Sequence, residues 1–394
     1  MRLLMASTES PTPITNGFRL RLHGLLSALR AEHNIHLVCY GESVDIDGVQ
    51  ATVVSPPPAW GLGRRVVEGA LGWVLREPAA ARSSRLGGLG AALTRVVASN
   101  DFDAVHVAHS ANAFTADCVG ELPRVLDAVD AWSLAQREEI KASPTPQFLS
   151  RLTLGTIVRH ERAWLRRFDA TVVVAERDRA VLQALDPSAR VEVIPNGVDT
   201  VSFVPDPGVA RLPGLVVFHG TMNYPPNVQA ALFLVHEVMP LVRMQVPAAR
   251  LRLVGRGPVP QLLDLAGPQV EITGAVPDVR PWLLGAEVAV CPMRRGTGIK
   301  NKLLEAGALG LPIVATRSAL GDVDLRDGQE VLIRDEPAAI AAGIVELLGD
   351  PAARRRLGDA ARAVIAQRWG WEGPARAFTE LYQEMVQTSR QRTR

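Results

Sequence analysis

The feature that most constrains this chain is the exchange of short Val- and Ile-rich runs with longer stretches of helical periodicity along almost its whole length. The short runs read Leu3–Ala6, Ile35–Tyr40, Ala51–Val54, Ala104–Ala108, Val125–Leu126, Thr171–Ala175 and Val191–Ile194. They resume as Leu215–His219, Arg250–Val254, Val270–Thr273, Val288–Cys291, Ile313–Ala315 and Val331–Ile333. They show little polar alternation. A strand covered by helices on both faces has this pattern, whereas a strand with one wet face alternates. Helical patterns fall between them at Phe18–Glu32, Gly88–Ser99, Ser150–Phe168, Val228–Gln245, Lys300–Leu309, Pro337–Leu348 and Ala353–Gln367. The order predicts an α/β fold with doubly wound parallel sheets.

At 394 residues the chain is too long for one ordinary core of ~150 residues. Pro205, Pro207, Gly208, Pro213 and Gly214 interrupt both periodicities, so a boundary is expected near Pro205–Asp206, separating residues 1–205 from 206–372. Beyond it Phe378, Leu381, Tyr382, Met385 and Val386 recur at helical spacing. Pro56, Pro57 and Pro58 predict a non-helical connection, and Trp60–Arg85 reads as a mobile helical segment.

A formal charge of +2, from 43 Lys plus Arg against 41 Asp plus Glu, provides no basic surplus for general nucleic-acid binding. Cys39, Cys118 and Cys291 have no disulfide or metal spacing, and Cys39 and Cys291 read as buried thiols of a reducing compartment. The apolar start Met1–Ala6 is too short for a signal peptide, and no run reaches the ~18 apolar residues of a membrane span. A cytoplasmic location is therefore expected, with a peripheral membrane contact left open. The eight histidines are scattered and no Asp-x-Asp pair ends a strand, so no metal site is expected.

The strongest chemical signal follows the strand ending at Cys291-Pro292. Gly296 and Gly298 lie in the loop, and Arg294, Arg295, Lys300 and Lys302 place four cations within nine residues before and inside a helix. Ligands of parallel sheets bind at the carboxyl ends of strands, glycines let backbone N–H groups approach an anion, and a helix N-terminus adds about half a positive charge. Thr297 and Ile299 complete that loop. Such a site suits a diphosphate that gains charge as it leaves. Glu305, sharing a helix face with Lys302, would repel phosphate and suits the hydroxyls of a ribose diol. Other strand-end loops offer Gly17 at a helix start, Gly220-Thr221 after Leu215–His219, Gly255-Arg256-Gly257 after Arg250–Val254, and Val276 in the loop after Val270–Thr273. In the first half, His106, His109, Asp127 and Asp130 stand at strand ends. His109 is the better histidine candidate for the chemistry, and Asp127 and Asp130 are candidates for the acceptor side. Asn227 reads as a helix cap.

Several of these stretches together resemble family-4 retaining glycosyltransferases of GT-B fold. Val193-Ile194-Pro195-Asn196-Gly197-Val198-Asp199 looks like the family's "IPNGVD", and Leu303–Ala315 like its "LEAMAxGxPVVA". Gly255-Arg256-Gly257-Pro258 looks like its "GxGP" turn, and Asn16-Gly17 like its N-terminal glycine loop. The resemblance implies two Rossmann-like domains facing across a cleft, a nucleotide-diphosphate-sugar as donor substrate, no cofactor, and a hydroxyl-bearing acceptor held by the first domain. It implies that the last helix, residues 373–394, packs back on the first domain. It also implies that Glu305 binds the donor ribose, that the loop at Gly298 contacts diphosphate and sugar, and that Gly17 lies near the diphosphate. Two positions depart from the pattern. Thr297 stands where the family has the first of two glutamates, and Pro226-Asn227 replaces its Lys-Gly, leaving Lys302 with Arg295 to provide the missing charge. A GT-B nucleotide-sugar epimerase and a non-catalytic sugar-nucleotide-binding subunit are the alternative readings.

Overall fold

The computed structural model describes residues 1–57, 67, 68, 71, 72, 74, 77–142, 148–294 and 300–392. The chain divides into two compact units, Met1–Pro195 with Trp371–Arg394, and Asn196–Gly370.

The first unit holds a seven-stranded sheet of β1 (Arg2–Ser7), β2 (Asn34–Tyr40), β3 (Val49–Val54), β4 (Ala104–Ala108), β5 (Arg124–Val129), β6 (Ala170–Val173) and β7 (Val191–Val193), in the order β3-β2-β1-β4-β5-β6-β7. Every pairing is parallel. Leu3 and Met5 enter one hydrophobic cluster, while Leu4 and Ala6 enter another. Successive side chains of a strand point to opposite faces, so a strand buried on both sides must be apolar at every position. This is why the runs lack polar alternation.

The second unit holds a six-stranded sheet of β8 (Leu215–His219), β9 (Arg250–Val254), β10 (Val270–Ile272), β11 (Val288–Cys291), β12 (Ile313–Ala315) and β13 (Leu332–Ile333), in the order β10-β9-β8-β11-β12-β13. Its pairings are parallel as well. In each sheet the strand order reverses once, between β1 and β4 and between β8 and β11.

The division falls earlier than the boundary expected near Pro205–Asp206. The Val198 N–H donates to Trp369 O at 2.7 Å, and the Arg362 guanidinium donates to Phe203 O at 3.0 Å, which ties residues 196–205 to the second unit. The prolines there mark a surface loop rather than the crossing. The helix Glu372–Arg392 belongs to the first unit, where Phe378 and Tyr382 share a cluster with Leu22 and Leu25 of the helix Gly17–Leu29. A Cβ on Gly24 would lie 2.1 Å from the Trp371 ring, so the two segments approach through a missing side chain.

Among the described residues, the longer helices Trp132–Ala142 and Glu176–Leu185 escaped the sequence pattern, as did the short Pro260–Leu263, Arg280–Leu284 and Arg317–Leu320 and the 3-10 segment Ser110–Cys118. The expected Val228–Gln245 helix is split into Pro225–Phe233, a π turn at Leu234–Val238, and Met239–Gln245. Pro240 lacks the N–H that a regular turn would use there. Of the expected Trp60–Arg85 segment, Ala79–Arg85 is helical, and residues 60–66, 69, 70, 73, 75 and 76 lie outside the described residues. Cys39 and Cys291 are buried and Cys118 is half-buried, all as free thiols; burial pushes the Cys39 thiol up to about 12. No helix among the described residues is long and apolar enough to cross a membrane.

The core of the first unit contains an ion pair. Arg21, 1% exposed, reaches Asp127, 2% exposed, through Nε at 2.7 Å and Nη2 at 3.0 Å, and its Nη1 donates to Pro195 O at 3.2 Å. The Arg21 guanidinium also lies 5.7 Å from the Phe378 ring centre, while His106 Nδ1 meets the Tyr382 hydroxyl at 2.6 Å. Burial alone would raise the Asp127 pKa, but Arg21 and His106 more than offset it and hold it at about 2. A depressed acid contributes stability above its unfolded pKa of ~4 that is lost as pH falls. Denaturant titrations should therefore show this part of the stability present above pH ~4 and disappearing toward pH 2. Arg21→Met, which strands a buried carboxylate, should cost about 3–5 kcal/mol by the same measurement.

Candidate functional site

In an open parallel sheet, ligands bind beyond the carboxyl ends of the strands where the order reverses. In the second unit that position lies between β8, ending at His219, and β11, ending at Cys291. Gly220 and Gly255 both take φ +149°, and a Cβ on Gly255 would lie 1.8 Å from the Gly220 carbonyl oxygen. The loops after β8 and β9 therefore meet backbone on backbone, an approach only glycine permits. Gly220 N–H donates to Val254 O at 2.9 Å and Met222 N–H to Arg256 O at 2.8 Å, fixing the two loops together. Val276 packs partly buried against the core of this unit.

Lys302 and Glu305 sit in the helix Asn301–Ala308. Lys302 Nζ donates to Asn227 Oδ1 at 2.9 Å, lies 3.9 Å from Met293 Sδ and sits 5.4 Å from the Phe218 ring centre. Among the described residues no carboxylate comes within ion-pair distance of it. Burial lowers its pKa from the ordinary lysine range, with the Cys291 thiol and Glu305 acting in the opposite direction. Asn227 is no cap. Tyr224 holds the cap position of Pro225–Phe233, and Asn227 bridges Thr221 O, at 2.9 Å, to Lys302. Glu305 Oε2 lies 2.6 Å from His219 Nε2, with side-chain exposures of 16% and 9%. That contact uses one carboxylate oxygen, Oε2. His219 and Asn227 are the partners that the sequence reading missed as such; His219 ends β8 and Asn227 lies in the first turn of the helix that follows it.

The remaining cations diverge. Arg294 is exposed, and its guanidinium lies 5.2 Å from the Phe233 ring centre beside a pocket of about 570 Å³. Lys300 is 8% exposed at the cap position of Asn301–Ala308. Arg295, Gly296, Thr297, Gly298 and Ile299 lie outside the described residues. Asn196 Nδ2 donates to Asn301 Oδ1 at 3.0 Å, joining the two sequence stretches Ile194–Asp199 and Lys300–Ala315.

In the first unit the reversal lies between β1 and β4. Gly17 is exposed at the start of its helix, capped by Asn16, whose Oδ1 accepts from Arg19 N–H at 2.8 Å. Glu9 accepts from Asn16 Nδ2 at 3.0 Å and from Arg19 Nε at 2.5 Å. His109 follows β4 at φ +74°, a conformation rare outside glycine. Its Nδ1 accepts the Ala111 N–H at 3.2 Å, and burial lowers its pKa, with Glu9 and Asp127 opposing. An Nδ1 that accepts leaves the neutral ring's proton on Nε2, so His109 presents a hydrogen-bond donor. Asp127, expected on the acceptor side, is instead in the core, its carboxylate taken by Arg21. Asp130 is half-buried just beyond β5. Among the described residues no group of three His, Cys, Asp or Glu side chains is placed to hold a metal ion.

Two doubly wound parallel sheets, each with chemistry-bearing loops at its reversal point, define the GT-B class of sugar-nucleotide proteins. Residues 15–202 match the model described as Glycosyltransferase Family 4, and residues 213–350 that described as Glycosyl transferases group 1. The chain belongs to the family-4 glycosyltransferases of GT-B fold. It is 31% identical over 251 residues to a GDP-mannose-dependent alpha-(1-6)-phosphatidylinositol monomannoside mannosyltransferase of Mycolicibacterium smegmatis, covering 56% of this chain and 64% of that one. It is 30% identical over 259 residues to a D-inositol 3-phosphate glycosyltransferase of Kineococcus radiotolerans, covering 56% and 58%. The match thus spans less than two thirds of either relative. A sucrose-phosphate synthase from Thermosynechococcus elongatus has a similar fold, with a TM-score of 0.74, 17% identity, and 98% and 100% of the two chains covered. So does Anabaena HepE in complex with UDP-glucose, with a TM-score of 0.69, 14% identity and the same coverage.

An anion should be held by Lys302 only while its ammonium is protonated. Lys302→Met should weaken binding of UDP or GDP about 10- to 100-fold, the contribution of one charge-assisted hydrogen bond, by titration calorimetry. The melting temperature of the free protein should hold or rise, because a desolvated charge is removed. In the unmodified protein, affinity should fall as pH rises through the depressed lysine pKa, and Lys302→Arg should flatten that dependence.

Proposed function

We propose that this chain transfers a glycosyl group from a nucleotide-diphosphate-sugar to a hydroxyl acceptor, with retention at the anomeric carbon and without a metal ion. The observation that carries the reading is the Lys302 ammonium at the reversal point of the second sheet, held by Asn227 with no carboxylate within ion-pair distance among the described residues. Such a cation stabilises a departing diphosphate, whose charge grows as the glycosidic bond breaks. Electrostatic stabilisation of this kind is commonly the largest catalytic contribution. Glu305, held by His219 through one oxygen, accepts the ribose hydroxyls with the other. The relatives named for GDP-mannose and the neighbour holding UDP-glucose support a nucleotide-sugar donor.

In the first unit, the exposed Gly17 lets a phosphate approach the start of its helix, and His109 donates from Nε2 to an oxygen of the substrate. Retention on one face has the leaving phosphate take the acceptor proton, so no side-chain nucleophile is required. Relatives named for a phosphatidylinositol monomannoside and for inositol 3-phosphate support a polyol or glycoside as the acceptor class.

Incubation with UDP- and GDP-hexoses and an alkyl glycoside should produce a new glycoside whose anomeric configuration, read by proton NMR, matches the donor. Lys302→Met should lower kcat about 10²- to 10³-fold. An inverted product, or turnover of the donor to a second sugar nucleotide without acceptor, would overturn the reading.

A further inference from the structure

Trp132 stands at the first position of the helix Trp132–Ala142, just past the end of β5, and its placement is specified from several sides. The His160 ring stacks against it at 6.0 Å and 23°, and His109 meets it edge-on at 5.5 Å and 62°. Phe18 in turn meets His109 edge-on at 5.3 Å. Two buried carboxylates hold the backbone on either side: Asp178 accepts from Ala131 N–H at 2.9 Å, and Glu161 from Ser133 N–H at 3.1 Å. Glu161 is 0% exposed, and burial raises its pKa. The chain enters this helix through Val129 at φ +69°, a left-handed conformation that strains a β-branched residue.

Packing does not account for this arrangement. Trp132 joins neither hydrophobic cluster of its unit and stays half-buried, although indole is among the most apolar surfaces a chain can bury. Its ring neighbours are two imidazoles. His160 Nε2 and Ser110 Oγ are shielded from solvent, and among the described residues neither has a hydrogen-bond partner. A rigid aromatic face beside hydrogen-bonding groups, at the carboxyl end of a parallel sheet, has the form of a ligand site.

We propose that Trp132 is the platform on which the acceptor's pyranose ring stacks, with the Nε2–H of His109 directed at a ring hydroxyl. A pyranose has an apolar face of C–H bonds and a polar rim, so one flat indole and one adjacent donor meet both of its demands. The assignment rests on the glycosyl-transfer reading for the word acceptor, but the binding it describes needs no donor. Trp132 makes ring contact and His109 donates; His160 and Glu161 act as positioning residues, one beneath the ring and one at the helix start.

The test is saturation-transfer NMR on the full chain, without donor, using methyl α-mannopyranoside and methyl α-glucopyranoside as probes. Saturation of the ring C–H protons is expected for at least one probe, with a drop of fivefold or more in Trp132→Ala. Trp132→Phe, which keeps a smaller aromatic face, should retain part of the signal and guards against a fold defect in the alanine variant. In acceptor kinetics Trp132→Ala should raise KM about tenfold with little change in kcat. UDP binding serves as the control for an intact fold and should not move. Unchanged saturation in both variants, no saturation in the unsubstituted protein, or saturation confined to the methyl group would each overturn the proposal. Loss of UDP binding with pyranoside binding intact would overturn the transfer reading alone.

Discussion

A lysine ammonium drawn away from water without a carboxylate to neutralise it is costly, and a fold retains such a group where something else supplies the counter-charge. Lys302 is in that position. Asn227 provides a neutral acceptor, Phe218 a ring face and Met293 a sulfur, all weaker partners than an anion. The rest of the second unit serves to keep this charge in place. Gly220 and Gly255 let two strand-end loops touch, Asn227 spans from Thr221 to the ammonium, and Thr316 Oγ1 anchors the Met293 carbonyl at 2.5 Å.

The first unit solves a different problem. Its buried Arg21–Asp127 pair lies where the helix Gly17–Leu29, the sheet, the helix Glu372–Arg392 and the chain at Pro195 come together. A buried ion pair is weak evidence for stability in itself, but it is intolerant of half-removal and so fixes the mutual placement of its elements. The helix that opens at Gly17 is fastened to the two segments through which the chain leaves and re-enters the unit, by Arg21 to Pro195 and by Gly24 against Trp371.

Much of the fold was legible because buried parallel strands carry a dense apolar signal. The runs Ala104–Ala108, Leu215–His219, Arg250–Val254, Val288–Cys291 and Ile313–Ala315 coincide with strands residue for residue. Glu176–Leu185 was missed because its helix is mostly polar, with only Asp178 and Leu182 buried. Within the candidate site, Lys302 and Glu305 could be found from spacing on one helix face. Their partners could not, since His219 and Asn227 lie 86 and 75 residues away and are joined to them only by the β8–β11 pairing. Asp127 was misplaced for the same reason: a carboxylate at a strand end looks available until the arginine 106 residues earlier is seen to occupy it.

The most direct measurement of the central claim is the pKa of the Lys302 ammonium itself, followed by heteronuclear NMR with selectively labelled lysine as pH is raised, in the free protein and with a saturating nucleoside diphosphate. The account predicts a value below the ordinary lysine range in the free protein that climbs when the diphosphate binds, because the ligand provides the missing counter-charge. An ordinary value that does not move on binding would contradict it.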